Sequence, residues 1–188
     1  NALIDKTAYS HLIDLDNWID FFVIQELVKN VDVGWSSVYM HKRQYEPLQF
    51  GPLWDFDLAM GNADYIDYGV ENWYGMRDYK NRFFKLMMDV PDIRDAFKDR
   101  VLDLRIDYIP MILDAVLKLS VSLEDMAERN FERWPILNEY VWPNPSEVVE
   151  ADTFLEQVDV IYRYLTNRSI WMSEAVFFPS YAEGDFNN

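Results

Sequence analysis

The chain has 188 residues, and its 33 acidic residues outnumber its 17 basic residues, which gives a formal net charge of −16 at pH 7. A surface with that much negative charge repels nucleic-acid phosphates and anionic lipids, so we expect no nucleic acid among its partners. Because the chain has no cysteine and only two histidines, thiolate metal sites, disulfides and imidazole-based catalysis are disfavoured. Any chemistry is therefore expected from carboxylates and a hard metal ion.

Composition also bounds the class of protein. Half of the residues are hydrophobic and 16% are aromatic, which excludes a disordered chain. A chain of this length fits one domain, and no apolar run approaches the ~18 residues of a membrane span. The chain opens Asn-Ala without an initiator methionine, so we expect a fragment, and the lack of cysteine is compatible with an exported bacterial protein.

The first strong element is a helix predicted from about Asp14 to Lys29. Its apolar residues cover most of the circumference, which predicts burial on several sides. Asp14 or Asp16 can cap its start, where a carboxylate accepts from unpaired backbone N–H groups. Glu26 is a charge among apolar neighbours, and we interpret it either as a snorkelling or ion-paired residue or as support for a site that follows.

A β-hairpin is predicted next, with strands at 37–41 and 47–50 joined by a polar turn. A Gly-Pro pair ends the hairpin, and 53–60 is predicted as a short extended piece. The stretch 61–80 is rich in Gly, Asn, Asp and Tyr without a clear period, which predicts a long ordered loop with Trp73 exposed. Loops of that length inside a compact domain are usually functional.

The rest of the chain is predicted to be helical, over 81–89, 92–108, 110–119, 122–140 and 147–176. Pro110 is expected at the first turn of a new helix, and Ser122 is expected to open another with a capping box. Trp134 is expected in the core, and a frayed polar tail is expected from Pro179. The predicted fold class is mainly α (α+β) with one small β-hairpin.

Two acidic clusters flank the hairpin, at points where an ordered element gives way to a loop. Asp32 follows the buried helix, and Asp55-Phe56-Asp57 follows the Gly-Pro pair. In an extended segment, Asp55 and Asp57 point to the same side about 6.6 Å apart, close enough to share one divalent ion or one ion pair. Oxygen ligands favour Mg²⁺, Mn²⁺ or Ca²⁺ over zinc, although two satisfied loop aspartates would give the same pattern.

The spacing after Asp32 strengthens the case for chemistry. Protein kinases place a catalytic Asp, four residues, a metal-binding Asn, a hairpin and then Asp-Phe-Gly. Here Asp32, four residues, Ser37, a predicted hairpin and Asp55-Phe56-Asp57 occur in that order. In kinases the first Asp accepts or orients the acceptor hydroxyl proton, while the other two residues hold the metals that neutralise the transferred phosphoryl group.

The segment 51–62 reads GPLWDFDLAMGN, and further distinctive segments lie at 25–32, 37–40, 100–105, 129–135 and 164–168. On these segments, most specifically on 51–62, the chain resembles over most of its length the spore coat protein H (CotH) kinase family of atypical secreted kinases. The resemblance implies a single domain over 1–188, equivalent to the helical C-terminal lobe of a kinase. No Gly-rich loop, strand Lys or αC-type Glu precedes the first helix, so the N-terminal lobe is expected outside this chain.

The resemblance also implies roles for particular residues. Asp32 would be the catalytic aspartate, and Asp55 would bind the metal and the nucleotide. Asp57 stands in the place of the usual glycine and would support or share the metal and the binding of the nucleotide. Ser37 stands where the family pattern expects a metal-binding Asn, and its hydroxyl can ligate Mg²⁺ with a shorter reach.

The implied activity is transfer of the γ-phosphoryl group of ATP, with Mg²⁺ or Mn²⁺, to Ser or Thr of surface or spore-coat proteins. The implied location is extracytoplasmic, secreted or at the bacterial cell surface, and the oligomeric state is left open. An alternative is a non-catalytic assembly or adhesion module, a pseudokinase, which the serine at position 37 favours. A third reading is a carboxylate-pair glycosidase that uses Asp32 with Asp55 or Asp57.

Overall fold

A computed structural model describes residues 11–66, 68–77 and 82–186. Within these residues the helices and strands are α1 (Leu15–Val28), β1 (Met40–His41), β2 (Gln49–Phe50), α2 (Arg82–Met88), α3 (Pro91–Asp103), α4 (Ile109–Arg133), α5 (Ser146–Glu150), α6 (Phe154–Ala175) and α7 (Pro179–Glu183). The two strands pair antiparallel. The predicted fold class, mainly α with a small hairpin, is confirmed. None of the helices in the described ranges combines the length and the apolar character that crossing a membrane requires.

Helix α1 lies at the centre of the fold, packed against α3, α6 and β2. Its apolar residues occur all around the helix, and nine of its 14 residues are buried, as the sequence predicts. Of the two candidate caps, Asp14 is the one observed, since its carboxylate accepts the Asn17 N–H at 3.1 Å. At its other end, α1 stops at Lys29, which adopts a left-handed backbone conformation. This end of α1 carries the chain into the candidate site.

Stacked aromatic side chains hold α1 in place. Phe22 on α1 stacks on Phe84 of α2 at a centroid distance of 4.7 Å and on Trp18 at 5.2 Å. Phe97 of α3 lies 5.8 Å from the same Phe22 ring. All four side chains are fully buried or nearly so. Because aromatic side chains bury large areas in defined geometry, α1 is a rigid support for the loop that follows it.

The hairpin is shorter than predicted. Within the described residues the two strands are Met40–His41 and Gln49–Phe50, with Met40 opposite Phe50 and His41 opposite Gln49, while Leu48 forms a parallel bridge with Ile13 instead. The carbonyl of Tyr39 still accepts the Gly51 N–H at 2.9 Å across the hairpin. The strand does not extend back to Ser37, whose left-handed φ of 55° breaks an extended backbone.

Pro110 lies in the first turn of a helix, as predicted, but the predicted helix break before Ser122 is wrong. Helix α3 continues through a π-helical turn, Leu104–Tyr108, directly into α4, and Pro110 lies at the start of α4. The wider turn suits a proline, which has no N–H to donate to the previous turn. Ser122 does not cap a new helix, because its hydroxyl donates to the carbonyl of Leu119 at 2.9 Å within the continuous helix.

Helix α4 ends at Arg133, because the next residue, Trp134, precedes a proline. Trp134 was predicted in the core, but its side chain is 58% exposed.

The C-terminal region differs from the predicted single helix and frayed tail. A break separates α5 from α6, and Thr153 caps the start of α6 with a capping box. The Thr153 hydroxyl accepts the Glu156 N–H at 3.2 Å, and the Glu156 carboxylate accepts the Thr153 N–H at 3.1 Å. Beyond α6, the side chains of Tyr181 and Phe186 are buried. The Tyr181 hydroxyl donates to the carbonyl of Arg94 at 2.9 Å, and burial raises the pKa of that phenol. The tail is therefore part of the core.

Candidate active site

Asp32 lies in a tight turn directly after α1. Its backbone N–H donates to Asn30 Oδ1 at 3.0 Å, and its carbonyl accepts the N–H groups of Trp35 at 2.9 Å and Ser36 at 3.0 Å. The next residue, Val33, is buried in the core. These contacts fix the backbone on both sides of Asp32, so its half-buried carboxylate is presented from a rigid position.

Asp55 is not in an extended segment. Its φ of 64° is left-handed, and a turn follows at Asp57. The prediction of a short extended piece at 53–60 is therefore wrong, and strand alternation does not place Asp55 and Asp57 on one side. Left-handed backbone is uncommon outside glycine, and such residues cluster at active sites and ligand clamps. Ser37, with a φ of 55°, shares this feature with Asp55.

The structure brings three of the four predicted site residues together. The Ser37 hydroxyl lies 3.1 Å from Asp55 Oδ2 and 3.3 Å from Asp32 Oδ2. A hydroxyl carries a single proton, so Ser37 can donate to only one carboxylate at a time. We call Asp32, Ser37 and Asp55 the oxygen cluster. Asp32 and Ser37 are half-buried and Asp55 is exposed, so a ligand can reach all three.

Asp57, the fourth predicted residue, lies beside the oxygen cluster, and its backbone carbonyl accepts a hydrogen bond from Asn62 Nδ2 at 2.9 Å. Its carboxylate is close enough to Tyr65 to influence that phenol. Burial raises the pKa of Tyr65, and the negative charges of Asp32, Asp57 and Asp64 raise it further. Asp57 therefore belongs to the acidic surroundings of the oxygen cluster.

An aromatic surface beside the cluster was not predicted from the sequence. Tyr65 stacks on Trp142 with a centroid distance of 5.6 Å and an interplanar angle of 12°, and both side chains are largely exposed. The Tyr140 hydroxyl donates to Asp64 Oδ2 at 3.0 Å, which ties this surface to the loop after Asp57. The available signal was the tyrosine content of that loop, but the partner Trp142 is too distant in sequence for a local pattern to indicate.

The donor set of the oxygen cluster fits a hard divalent cation. Two carboxylates and one hydroxyl supply oxygen only, and Mg²⁺ is commonly held by one or two carboxylates together with substrate phosphates and water. Within residues 11–66, 68–77 and 82–186, no group of three His, Asp or Glu side chains forms a complete metal site.

Charged side chains are buried directly behind the Asp32 turn. Glu26 forms an ion pair with Arg168 of α6, with 3.1 Å between its Oε2 and Arg168 Nη2, and both side chains are almost fully buried. The same carboxylate accepts the backbone N–H groups of Tyr74 at 3.0 Å and Gly75 at 2.7 Å. The interpretation of Glu26 as an ion-paired residue is correct, and its partner lies on a helix far along the chain. Trp73, predicted to be exposed, is buried because these contacts draw its loop into the core.

Comparison with known families agrees with the geometry. The family model described as CotH kinase protein matches residues 5–172. The chain belongs to the CotH kinase family. The matched region contains the whole oxygen cluster together with Glu26 and Arg168, and the resemblance recognised from the sequence is confirmed. No curated protein and no solved structure is significantly similar to the chain. Kinases as a class use ATP and a divalent metal ion, which agrees with an oxygen-only donor set.

Proposed function

We propose that this CotH family member is the C-terminal lobe of an atypical protein kinase that transfers the γ-phosphoryl group of ATP to Ser or Thr of bacterial surface or coat proteins. The observation that carries the proposal is the convergence of Asp32 and Asp55 on one Ser37 hydroxyl. Asp32 and Ser37 lie at the spacing that kinases use for their catalytic Asp and second ligand, and Asp55 follows them in the order of the metal-binding Asp. In the proposal, an N-terminal lobe in a longer parent protein supplies the remaining nucleotide contacts, and the protein acts outside the cytoplasm.

Each residue of the oxygen cluster has a distinct task in the proposed reaction. Asp32 orients the acceptor hydroxyl and receives its proton as the acceptor oxygen bonds to the γ-phosphorus and the bond to the bridging oxygen of ADP breaks. Asp55 and Ser37 would hold the divalent ion, with Asp57 as added negative charge nearby. The ion supplies charge neutralisation for the phosphates. The rigid turn at Asp32 supports this assignment, since a proton acceptor must be held within hydrogen-bond reach of the acceptor oxygen.

Ser37 supports a second candidate function. Where the kinase pattern expects an asparagine, the shorter hydroxyl of Ser37 already lies between the two carboxylates. A site of this kind can bind a divalent ion and yet position it poorly for transfer. The alternative is therefore a non-catalytic member that binds a divalent ion and assembles with surface proteins. Asp32 is held by Asn30 Oδ1, by the N–H groups of Trp35 and Ser36 and by the Ser37 hydroxyl, and this fixed position favours the kinase.

The test uses the longest parent chain with γ-labelled ATP and either Mg²⁺ or Mn²⁺, and label is counted on protein. The variants are Asp32→Asn, Asp55→Asn and Ser37→Asn, with Asp16→Asn as a matched control because Asp16 is an exposed aspartate at the other end of α1. We expect transfer by the wild type and the control, and its loss in Asp32→Asn and Asp55→Asn. Transfer only in Ser37→Asn would establish the pseudokinase, and no transfer in any folded version would refute the kinase.

A further inference from the structure

Four consecutive backbone carbonyls behind the oxygen cluster are bound by two buried cations. Lys29 Nζ donates to the carbonyls of Gly69 at 2.8 Å and Glu71 at 2.7 Å. Arg168 Nη1 donates to the carbonyls of Val70 and Asn72, each at 2.8 Å. Arg168 is 0% exposed and Lys29 is 2% exposed. Lys29 thus binds the first and third carbonyls of the segment 69–72, and Arg168 binds the second and fourth. Being bound on both sides leaves the segment little freedom to move.

The same charged set continues into the next residues and into α1. Glu26 accepts the N–H groups of Tyr74 and Gly75 and pairs with Arg168, as described above. Arg168 Nε also donates to the backbone carbonyl of Glu26 at 3.0 Å. A cation that binds a carbonyl in the last turn of a helix stabilises that helix end. Arg168 therefore binds both the end of α1 and the segment 69–75.

Both of these elements contact the Asp32 turn. Lys29, the residue at which α1 ends, lies three positions before Asp32 in the chain. On the other side, a Cβ placed on Gly75 would lie 3.1 Å from Val33 Cγ1, so the segment 69–75 packs directly against the residue after Asp32. The backbone of Asp32 is thus held between α1 and this segment, and Arg168 is the side chain that joins the two.

We propose that Arg168 is a positioning residue for Asp32: through the end of α1 and the segment 69–75 it fixes the turn that presents the Asp32 carboxylate. The catalytic part of this inference rests on the proposed kinase function, whereas the structural part does not. Arginine suits the task because its planar guanidinium donates in several fixed directions at once, whereas a lysine is a single point of charge. Lysine at 168 could keep the charge beside Glu26 but could not bind three carbonyls and a carboxylate together.

The first test measures amide hydrogen exchange by NMR in the full chain. The informative amides are those of Trp35 and Ser36, which donate to the Asp32 carbonyl, and Phe22 in the middle of α1 serves as the internal reference. In Arg168→Lys we expect exchange at Trp35 and Ser36 to become at least about tenfold faster while exchange at Phe22 changes little, as for a local opening.

The matched control is Arg163→Met on the same helix, which removes an arginine whose two ion pairs, with Glu147 and Asp159, are at the surface. It should leave exchange at Trp35 and Ser36 unchanged. Arg168→Met leaves Glu26 without its arginine and can prevent folding, so the lysine variant is the decisive one. Equal acceleration at all three amides, or none at Trp35 and Ser36, would overturn the inference, because Arg168 would then have a general or negligible structural role.

The second test compares steady-state phosphate transfer by the longest parent chain and its Arg168→Lys version. We expect kcat to fall by about 10²-fold, as for a catalytic group displaced by about 1 Å, while KM for ATP stays unchanged. If the wild type transfers phosphate and Arg168→Lys keeps its kcat, the positioning role fails and the kinase stands. If the wild type transfers nothing but the exchange result holds, the kinase fails and the fixed Asp32 turn stands.

Discussion

Replacing Gly75 by alanine tests how closely the segment 69–75 packs against α1 and the Asp32 turn. The added Cβ would lie 2.9 Å from Phe22 Cε2 and 3.1 Å from Val33 Cγ1. Carbon atoms prefer separations of about 3.5–4.0 Å, so one side must move. The Phe22 ring cannot shift freely, since it is fully buried and stacks on Phe84 and Trp18. Moving the backbone would instead lengthen the 2.7 Å hydrogen bond from the Gly75 N–H to Glu26.

Crowding of this kind costs about 1–3 kcal/mol of unfolding free energy, which for a chain of this size lowers Tm by roughly 2–4 °C per kcal/mol. The measurement is denaturant unfolding of wild type, Gly75→Ala, Phe22→Leu and the double variant. Because the smaller Leu side chain makes room for the added methyl group, we expect the double variant to be more stable than the sum of the single effects by at least about 0.5 kcal/mol.

Gly51→Ala is the matched control, since Gly51 has a φ of 133° and no atom within 4 Å of an added Cβ. Its cost comes from backbone strain alone, so Phe22→Leu should not reduce it. The reasoning is refuted if Gly75→Ala changes stability by less than about 0.5 kcal/mol, or if its effect and that of Phe22→Leu simply add.

Three further predictions concern individual groups. Burial raises the pKa of Tyr65, and the negative charge of Asp32 raises it further, so Asp32→Asn should lower the Tyr65 pKa in an NMR titration of the tyrosine ring carbons. An unchanged pKa would mean that the Asp32 carboxylate does not act on Tyr65. The hydrogen bond from the Gln49 side chain, followed by that from the Asn17 N–H, lowers the pKa of Asp14 in the folded protein. The ionised Asp14 carboxylate therefore stabilises the fold above the unfolded pKa of ~3.9, and this stabilisation is lost as the pH falls through the lower folded pKa. Asp14→Ala should therefore lower the unfolding free energy by about 1 kcal/mol at pH 7 and by less in acid. A loss of stability that is the same at both pH values would contradict this assignment. Thr153→Ala removes the capping box of α6 and should lower the unfolding free energy, measured with denaturant, by about 1 kcal/mol. Unchanged stability would show that the capping box does not stabilise α6.

Local patterns were sufficient to predict the elements that depend on neighbours in sequence. The run of apolar residues predicts α1, and the two carboxylates at its start predict a cap at Asp14 or Asp16, of which Asp14 is observed, because both depend on contacts within a few residues. The order of Asp32, Ser37 and Asp55 relative to a hairpin likewise predicts the oxygen cluster, since a hairpin returns the chain to its starting point. The exact hairpin length was not predictable, because it depends on the left-handed backbone at Ser37.

The contacts that support the site were beyond sequence reasoning because they join distant parts of the chain. Glu26 and Arg168 are separated by 142 positions, and no periodicity or motif relates them. Their pairing decides that the loop around Trp73 lies in the core, so the exposure of Trp73 was also mispredicted. Conversely, Trp134 looks like a core residue in its sequence context, but it lies just past the end of α4 and is exposed.

The electrostatics of the oxygen cluster favour a bound cation under either proposed function. Asp32 and Asp55 both contact the Ser37 hydroxyl, and its one proton can satisfy only one of them. Two carboxylates held this close repel each other unless a positive charge lies between them. A divalent ion would relieve the repulsion in an active kinase and in an inactive relative alike, so phosphate transfer, rather than ion binding, is the property that separates the two.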